Sequence, residues 1–261
     1  ILYLSSALKK SGHRVFICEP NREDVLEKIR KIKPDFIGYS LRTGFHRYYI
    51  DLNKELKKKF EFLAIFGGPH ATFFPEMIKE DGVDVVAMGE CESAIVDLLD
   101  LFEKKQDYLK TSNFWFKAGG EIFKNPSRPL EQDLDKISFP DRDLLNDFKE
   151  IKFSKIHNIM TVRGCPYNCS YCFNHQSKEM YAGQKYVRRR SVDNVLKEIG
   201  EVAVAFNLNR IIFEDDTFNM DKEWLRKFTL KYPKIPFKCM LRANLVDEEV
   251  VQLLKEAGCI S

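Results

Sequence analysis

Short apolar runs alternate with helical stripes along roughly the first hundred residues. Val15 to Cys18 reads as a strand, and apolar positions 25, 26, 29 and 32 mark one face of a helix. Phe36 to Ser40 is the next strand, followed by a helical face at Phe45, Tyr49, Leu52 and Leu56. Phe62 to Phe66 and Val83 to Met88 read as two further strands, and Ile95, Leu98, Leu99 and Phe102 as a third helical face. Ile1 to Lys10 fits a helix whose preceding strand is expected upstream, since the chain opens on Ile1 in mid-pattern. Alternation of this kind predicts a parallel sheet with helices on both faces, a doubly wound α/β fold.

Residues 111–150 break the rhythm. Asn113 to Lys117 and Glu121 to Lys124 flank Ala118-Gly119-Gly120, which predicts a hairpin, and the prolines at 126, 129 and 140 mark a linker. From Ile156 the alternation resumes. A strand from Ile156 to Val162 runs into a cysteine cluster, and a helix follows with apolar positions 192, 195, 196, 199 and 202. Arg210 to Phe213, a helix from about Asp221, Phe237 to Leu241 and a helix around 250–254 complete the pattern, with Cys259 starting another strand. The expected organisation is a Rossmann-like domain over 1–110, a hairpin and linker over 111–150, and the first part of a (β/α)6-type partial TIM barrel over 151–261. The last is expected to continue into a closed barrel, because an open edge strand is a template for mispairing. The chain is thus expected to be truncated at both ends.

Composition narrows the class. Apolar residues make up 44% and charged residues 31% of 261, the balance of a globular protein. No apolar run nears the roughly 20 residues of a membrane helix. No signal-peptide pattern stands at the start. The net charge of +3, with both signs interspersed, does not favour nucleic acid. Arg188, Arg189 and Arg190 are the dense basic run, expected to be a solvated turn before a helix, with phosphate or substrate contact as the other reading.

Seven cysteines, odd in number and unevenly spaced, with three inside eight residues, point to a reducing, cytoplasmic setting and one metal cluster. Cys18 and Cys239 sit in apolar strand patterns and read as small core residues. In Gly164-Cys165-Pro166-Tyr167-Asn168-Cys169-Ser170-Tyr171-Cys172, three thiolates at spacings of four and three can each take one corner of an iron–sulfide cube. Three ligands leave the fourth iron open. The competing reading is zinc, with His175 as fourth ligand. Placement directly after an apolar strand, at the strand C-terminal mouth where barrel sites lie, favours the iron–sulfur cluster.

The Cys-x3-Cys-x2-Cys run, with an aromatic residue before the last cysteine, resembles the radical S-adenosylmethionine superfamily signature. The resemblance implies that Cys165, Cys169 and Cys172 hold a 4Fe-4S cluster whose open iron chelates S-adenosylmethionine. One electron would then cleave the C5′–S bond and release a deoxyadenosyl radical. It places Tyr171 near the adenine, with simple packing as the other reading. Glu214, Asp215 and Asp216 end the next strand, where at least one would hold the cofactor's ammonium; helix capping is the alternative. Arg242 would meet the methionine carboxylate or pair with an acid.

Parallel sheets bind ligands at their strand C-terminal ends. Three such ends carry Ser40 and Thr43, Gly67-Gly68-Pro69-His70, and Gly89-Glu90-Cys91-Glu92. No Gly-x-Gly-x-x-Gly or phosphate-loop fingerprint is present, so dinucleotides and triphosphates are not favoured. Taken alone these loops mean ligand or tight turns. Joined to the cysteine motif, and to Phe139-Pro140-Asp141-Arg142 between, they are similar to the cobalamin-binding domain of cobalamin-dependent radical S-adenosylmethionine enzymes. Cys91 departs from the glycine common there. No Asp-x-His-x-x-Gly occurs, so the resemblance favours cobalamin without a protein histidine, and His70 reads as a loop contact rather than a cobalt ligand. The resemblance implies an enzyme, foremost a methyltransferase acting at an unactivated carbon, otherwise a radical cyclase or rearrangement enzyme. A zinc-bound interaction module is the reading from a different class. A small-molecule, natural-product or lipid substrate is implied, with a low-potential donor such as flavodoxin or ferredoxin.

Overall fold

A computed structural model describes residues 1–148 and 154–261. Residues 149–153, where the second domain was expected to begin, lie outside the described residues. The chain divides into two compact units: residues 1–128 with 140–147, and 129–139 with 148–261.

The first unit is built on a sheet of order β1-β2-β3-β4-β5. Its strands are β1 (Phe36–Ser40), β2 (Leu63–Gly67), β3 (Val85–Ala87), β4 (Phe114–Ala118) and β5 (Glu121–Lys124). The first three are parallel, and β4 and β5 add antiparallel to β3, so the expected hairpin is part of this sheet. Its helices are α1 (Leu2–Lys10), α2 (Arg22–Ile32), α3 (His46–Lys57), α4 (Pro69–Phe73) and α5 (Glu92–Glu103). The period of two along each strand sorts the core into two layers. Ala64, Phe66 and Val86 pack with Val25, Ile29, Ile50 and Leu56 from α2 and α3. Ile65, Val85 and Ala87 pack with Ala94, Ile95 and Leu98 of α5 and with Leu4 and Leu8 of α1. This is the three-layer, doubly wound arrangement that the alternation predicts.

One expected strand is missing. Val15 to Cys18, with Phe16 turned out at 50% exposure, joins no ladder among the described residues. Its inward side chains are satisfied by packing alone, as with Cys18 against the α2–α3 layer.

The second unit holds the parallel strands β6 (Ile156–Ile159), β9 (Arg210–Phe213) and β10 (Phe237–Cys239), in the order β10-β9-β6. The run expected as one strand over 156–162 is two. After β6 the chain turns into β7 (Val162–Arg163), which pairs antiparallel with β8 (Arg188–Arg189). A helix α6 (Asn174–Met180) follows the cysteines, and α7 (Val192–Phe206), α8 (Lys222–Lys231) and α9 (Glu248–Ala257) cover one face of the sheet. Each of these three starts on a side-chain cap of a residue type that favours helix starts: Ser191, Asp221 and Asp247 accept from the backbone N–H three residues on. Phe213, Phe218, Phe228 and Phe237 are fully buried in that layer. The opposite face carries the row Asn158, Ile212 and Lys238. Cys259 makes one parallel bridge to Phe237, the start of the next strand.

The arginine run is a correction. Arg188 is 1% and Arg190 6% exposed, so neither lies in a solvated turn. Arg188 donates to the Glu131 carbonyl at 2.9 Å. Arg190 donates to the Met160 carbonyl and forms a buried ion pair with Glu198. Guanidinium groups are tolerated inside only when their fork is matched by acceptors, and here it is.

Candidate functional site

Two sets of residues lie at strand C-terminal ends, one in each unit. In the second unit β6 ends at Ile159, and the chain passes Met160-Thr161 and β7 to reach Gly164 and Cys165. Gly164 has φ +86°, and a Cβ there would stand 2.7 Å from the Tyr186 carbonyl oxygen. Only glycine gives the chain this turn into the first cysteine. Lys178 of α6 then ties the loop down, donating to the carbonyls of Pro166 and Tyr167 at 2.8 and 3.2 Å and to the Asn168 side chain.

Cys165 is buried, while Cys169 and Cys172 are half-buried. Each sulfur meets a polar side chain. The Thr217 hydroxyl is 3.7 Å from Cys165 Sγ. Arg242, just past β10, donates to Cys169 Sγ at 3.5 Å. Asn174, at the start of α6, donates to Cys172 Sγ at 3.4 Å. The Arg242 hydrogen bond lowers the Cys169 thiol pKa and favours the thiolate that a metal needs. The same guanidinium lies 3.6 Å from the Tyr167 ring centre, and Asn219 holds its backbone on both sides. Its Nε is buried without a hydrogen-bond partner among the described residues. Arg242 therefore faces a thiol and a ring rather than an acid.

The three carboxylates that end β9 have separate fates. Asp215 is 1% exposed. It accepts from the Thr161 and Val162 N–H groups at 2.6 and 3.0 Å and from the Thr161 hydroxyl. Burial raises its pKa, against those hydrogen bonds and the nearby Arg189 charge. Both its oxygens are spent on the chain entering the cysteine loop, so it positions that loop. Asp216 is exposed and accepts from Asn174 at 3.0 Å. Glu214 is exposed and accepts from Asn158 of β6 at 2.9 Å. Tyr171 is 92% exposed. Its ring is exposed rather than packed.

No three His, Cys, Asp or Glu side chains among the described residues converge on one ion. His175 Nδ1 is engaged with the Cys172 carbonyl at 2.5 Å. Three free thiols within one loop are the donor set of an iron–sulfur cluster, so the chemistry of the residues present fits that group.

In the first unit Ser40 ends β1 and Thr43 follows it, and both are exposed. Gly67 ends β2, and Gly68 takes φ +89°. A Cβ at Gly68 would stand 2.8 Å from both the nitrogen and the oxygen of Leu41, so the two loops touch through the missing side chain. Pro69 starts α4. His70 is buried, bonded through Nδ1 to the Thr43 hydroxyl at 3.1 Å and stacked on His46 at 3.9 Å between ring centres. Burial, then the neighbouring His46, lowers its pKa. Thr72 joins the second loop to the third, accepting from Gly89 N–H at 3.1 Å. Glu90 and Glu92 are half-buried beside Cys91, whose thiol is buried, donates to the Met88 carbonyl and is pushed up to about 12. Asn113, in the left-handed conformation at φ 74°, donates to the carbonyls of Met88 and Glu90 and fixes this loop from the hairpin side. The three loops therefore meet at one edge of the sheet.

Sequence reasoning missed Asn174, Lys178, Thr217 and Asn113. A polar residue two places after Cys172 was the one visible signal for Asn174; the others act across long separations.

The B12 binding domain family model matches residues 1–99, and the Radical SAM superfamily model matches residues 159–261. The chain belongs to the radical S-adenosylmethionine enzyme family whose members carry a cobalamin-binding domain. It is 29% identical over 274 residues to an uncharacterized methyltransferase of Pyrococcus horikoshii, covering 99% of this chain and 58% of that one. It is 27% identical to an anaerobic magnesium-protoporphyrin IX monomethyl ester cyclase of Cereibacter sphaeroides, covering 100% of this chain and 45% of the other. The chain spans about half the length of the curated relatives it matches. Among solved structures, it resembles the radical S-adenosylmethionine methyltransferase TsrM of Kitasatospora setae with cobalamin and a 4Fe-4S cluster bound. The TM-score is 0.76 at 16% identity, covering 98% of this chain and 54% of that one, a likeness of fold.

Proposed function

We propose that the chain is the cofactor-binding part of a methyltransferase that cleaves S-adenosylmethionine reductively and uses cobalamin to methylate an unactivated carbon. The observation that carries this reading is the cysteine loop. Three thiols lie on one tethered turn at the C-terminal ends of parallel strands, and Arg242 and Asn174 donate to two of the sulfurs.

When bound, the cluster supplies one electron to S-adenosylmethionine and methylcobalamin supplies the methyl group. Cys165, Cys169 and Cys172 would hold the cluster and leave one iron open. Asp216 and Glu214 present exposed carboxylates at the end of β9, suited to an ammonium group. Tyr171 would meet the adenine, and Arg242, donating to Cys169, favours the thiolate there. In the first unit Ser40, Thr43, Gly67, Gly68, Pro69, His70, Gly89, Glu90 and Glu92 would line the cobalamin. Gly68 and Gly89, both at positive φ, let backbone approach a large planar ligand closely. A small molecule, natural product or lipid is the substrate class, and flavodoxin or ferredoxin the donor class. No helix among the described residues is long and apolar enough to cross a membrane. A cytoplasmic location suits the seven cysteines, none of which is in a disulfide among the described residues.

The relative named as a methyltransferase, at 29% identity, supports methyl transfer. The relative named as a cyclase, at 27%, supports a second reading in which the radical chemistry closes a ring. Full-length protein, purified and reconstituted without oxygen, tests both. Cobalamin absorbance, iron and sulfide are expected, with deoxyadenosine formed under reduction and a methylated product. Deoxyadenosine without methylation would favour the cyclase reading. Absence of cobalamin, or zinc in place of iron and sulfide, would end the proposal.

A further inference from the structure

Asn174 is 2% exposed yet carries an amide whose every polar atom is used. Its Nδ2 donates to Cys172 Sγ at 3.4 Å and to Asp216 Oδ2 at 3.0 Å, and its Oδ1 accepts from the Tyr186 hydroxyl at 2.8 Å. A side-chain amide has two N–H donors, and here one points at a sulfur and the other at a carboxylate. The Asp216 carboxylate fixes which way round the amide sits, because a carboxylate accepts and so calls for the Nδ2 donor. The carboxylate belongs to β9 and the sulfur to the loop after β7, so Asn174 is the one side chain of α6 that touches both.

The geometry points to Asn174 as a positioning residue with two partners: it sets the reduction potential of the cluster through Cys172 and holds Asp216 in place for the ammonium of S-adenosylmethionine. The inference rests on the cluster reading above. Hydrogen bonds to cluster sulfurs favour the more negative, reduced state and so raise the potential. Partners of metal ligands tune a site nearly as strongly as the ligands. Losing the donor to Cys172 therefore lowers the potential, and losing the donor to Asp216 frees that carboxylate to swing away. One side chain accounts for both effects.

The test uses the full-length protein, reconstituted with iron and sulfide without oxygen, in wild-type, Asn174→Leu and Asn174→Ala forms. Leucine nearly conserves shape and removes both donors; alanine removes shape as well. Redox titration followed by electron paramagnetic resonance reads the potential, and the spectral change on adding S-adenosylmethionine reads its binding. Both variants are expected to show about a tenfold lower reduced-to-oxidised ratio at the wild-type midpoint, which is about 59 mV for one electron. Both should also need about tenfold more S-adenosylmethionine to change the spectrum. Variants that load iron normally and match wild type within twofold in both readouts overturn the inference alone. Loss of iron from both variants supports it if thermal unfolding of the cluster-free chain is unchanged, and overturns it in favour of a purely structural role if unfolding drops. Wild-type protein that takes up neither iron nor sulfide removes the cluster reading and this inference with it.

Discussion

Replacing Asp215 should separate its role as a clamp from any role of its charge. The carboxylate is 1% exposed and takes the N–H groups of Thr161 and Val162 together with the Thr161 hydroxyl. In Asp215→Ala the hydroxyl can rotate to another partner, but both N–H groups are left buried without an acceptor. Each orphaned donor costs about 1–3 kcal/mol, so the local loss is about 2–6 kcal/mol. Asp215→Asn keeps one oxygen for both N–H groups and presents its amide nitrogen to the hydroxyl, which can accept. It gives up charge-assisted bonding but also relieves a buried charge, and the net change is expected within about 1 kcal/mol. Hydrogen exchange read by mass spectrometry over residues 156–165 measures this directly, with β2 in the first unit as an internal control. At about 1.4 kcal/mol per tenfold, Asp215→Ala should speed exchange at 161 and 162 roughly 30-fold or more, and Asp215→Asn by less than about tenfold. Equal protection in the two variants would refute the clamp. The pH dependence has a definite sign. Burial raises the pKa of Asp215 above its unfolded value. Its contribution to stability is thus fully present below the unfolded carboxylate pKa and lost as pH rises through the raised one. Asp215→Asn should be free of that loss.

Other substitutions have equally direct outcomes. Gly164→Ala forces a side chain to φ +86° and a contact with the Tyr186 carbonyl, so it should cost about 2 kcal/mol or more and shed iron from the reconstituted protein, measured by iron content after gel filtration. Gly68→Ala should do the same to cobalamin retention, read by absorbance, because its Cβ meets the Leu41 backbone at 2.8 Å. Glu198→Ala leaves the buried Arg190 charge without its carboxylate partner, although Nη1 keeps the Met160 carbonyl, and should lower unfolding free energy by about 3–5 kcal/mol in a denaturant titration. His70 titrates below its ordinary value, so stability of the first unit should fall as pH drops from about 6.5 toward that lowered pKa. A His70→Gln variant should lack that slope in thermal melts.

How much of this could be read beforehand depends on the range of the interaction. Local periodicity placed β9 at 210–213 residue for residue, and the apolar stripe of α7 gave that helix its inward face. The cysteine loop was legible because its three thiols are close in sequence. Arg188 and Arg190 were not, since their partners, Glu131, Met160 and Glu198, are known only once the chain is folded. Val15 to Cys18 failed for a related reason: alternation shows which side chains turn inward, but a ladder also needs a neighbouring backbone. At the β9 end, three adjacent acids looked equivalent. The strand's pleat turned Asp215 inward and left Glu214 and Asp216 outside, a distinction fixed by register.

The clamp on the cysteine loop also bears on how the protein is made. Thr161 and Asp215 are 54 residues apart. At about 5–20 residues per second, the thiols emerge from the ribosome roughly 2 to 10 seconds before the carboxylate that will fix their loop. For that interval the nascent chain offers three unrestrained cysteines to any passing metal or oxidant. Correct iron loading is therefore a matter of timing as well as affinity, and expression conditions that slow translation through 165–215 lengthen the exposure.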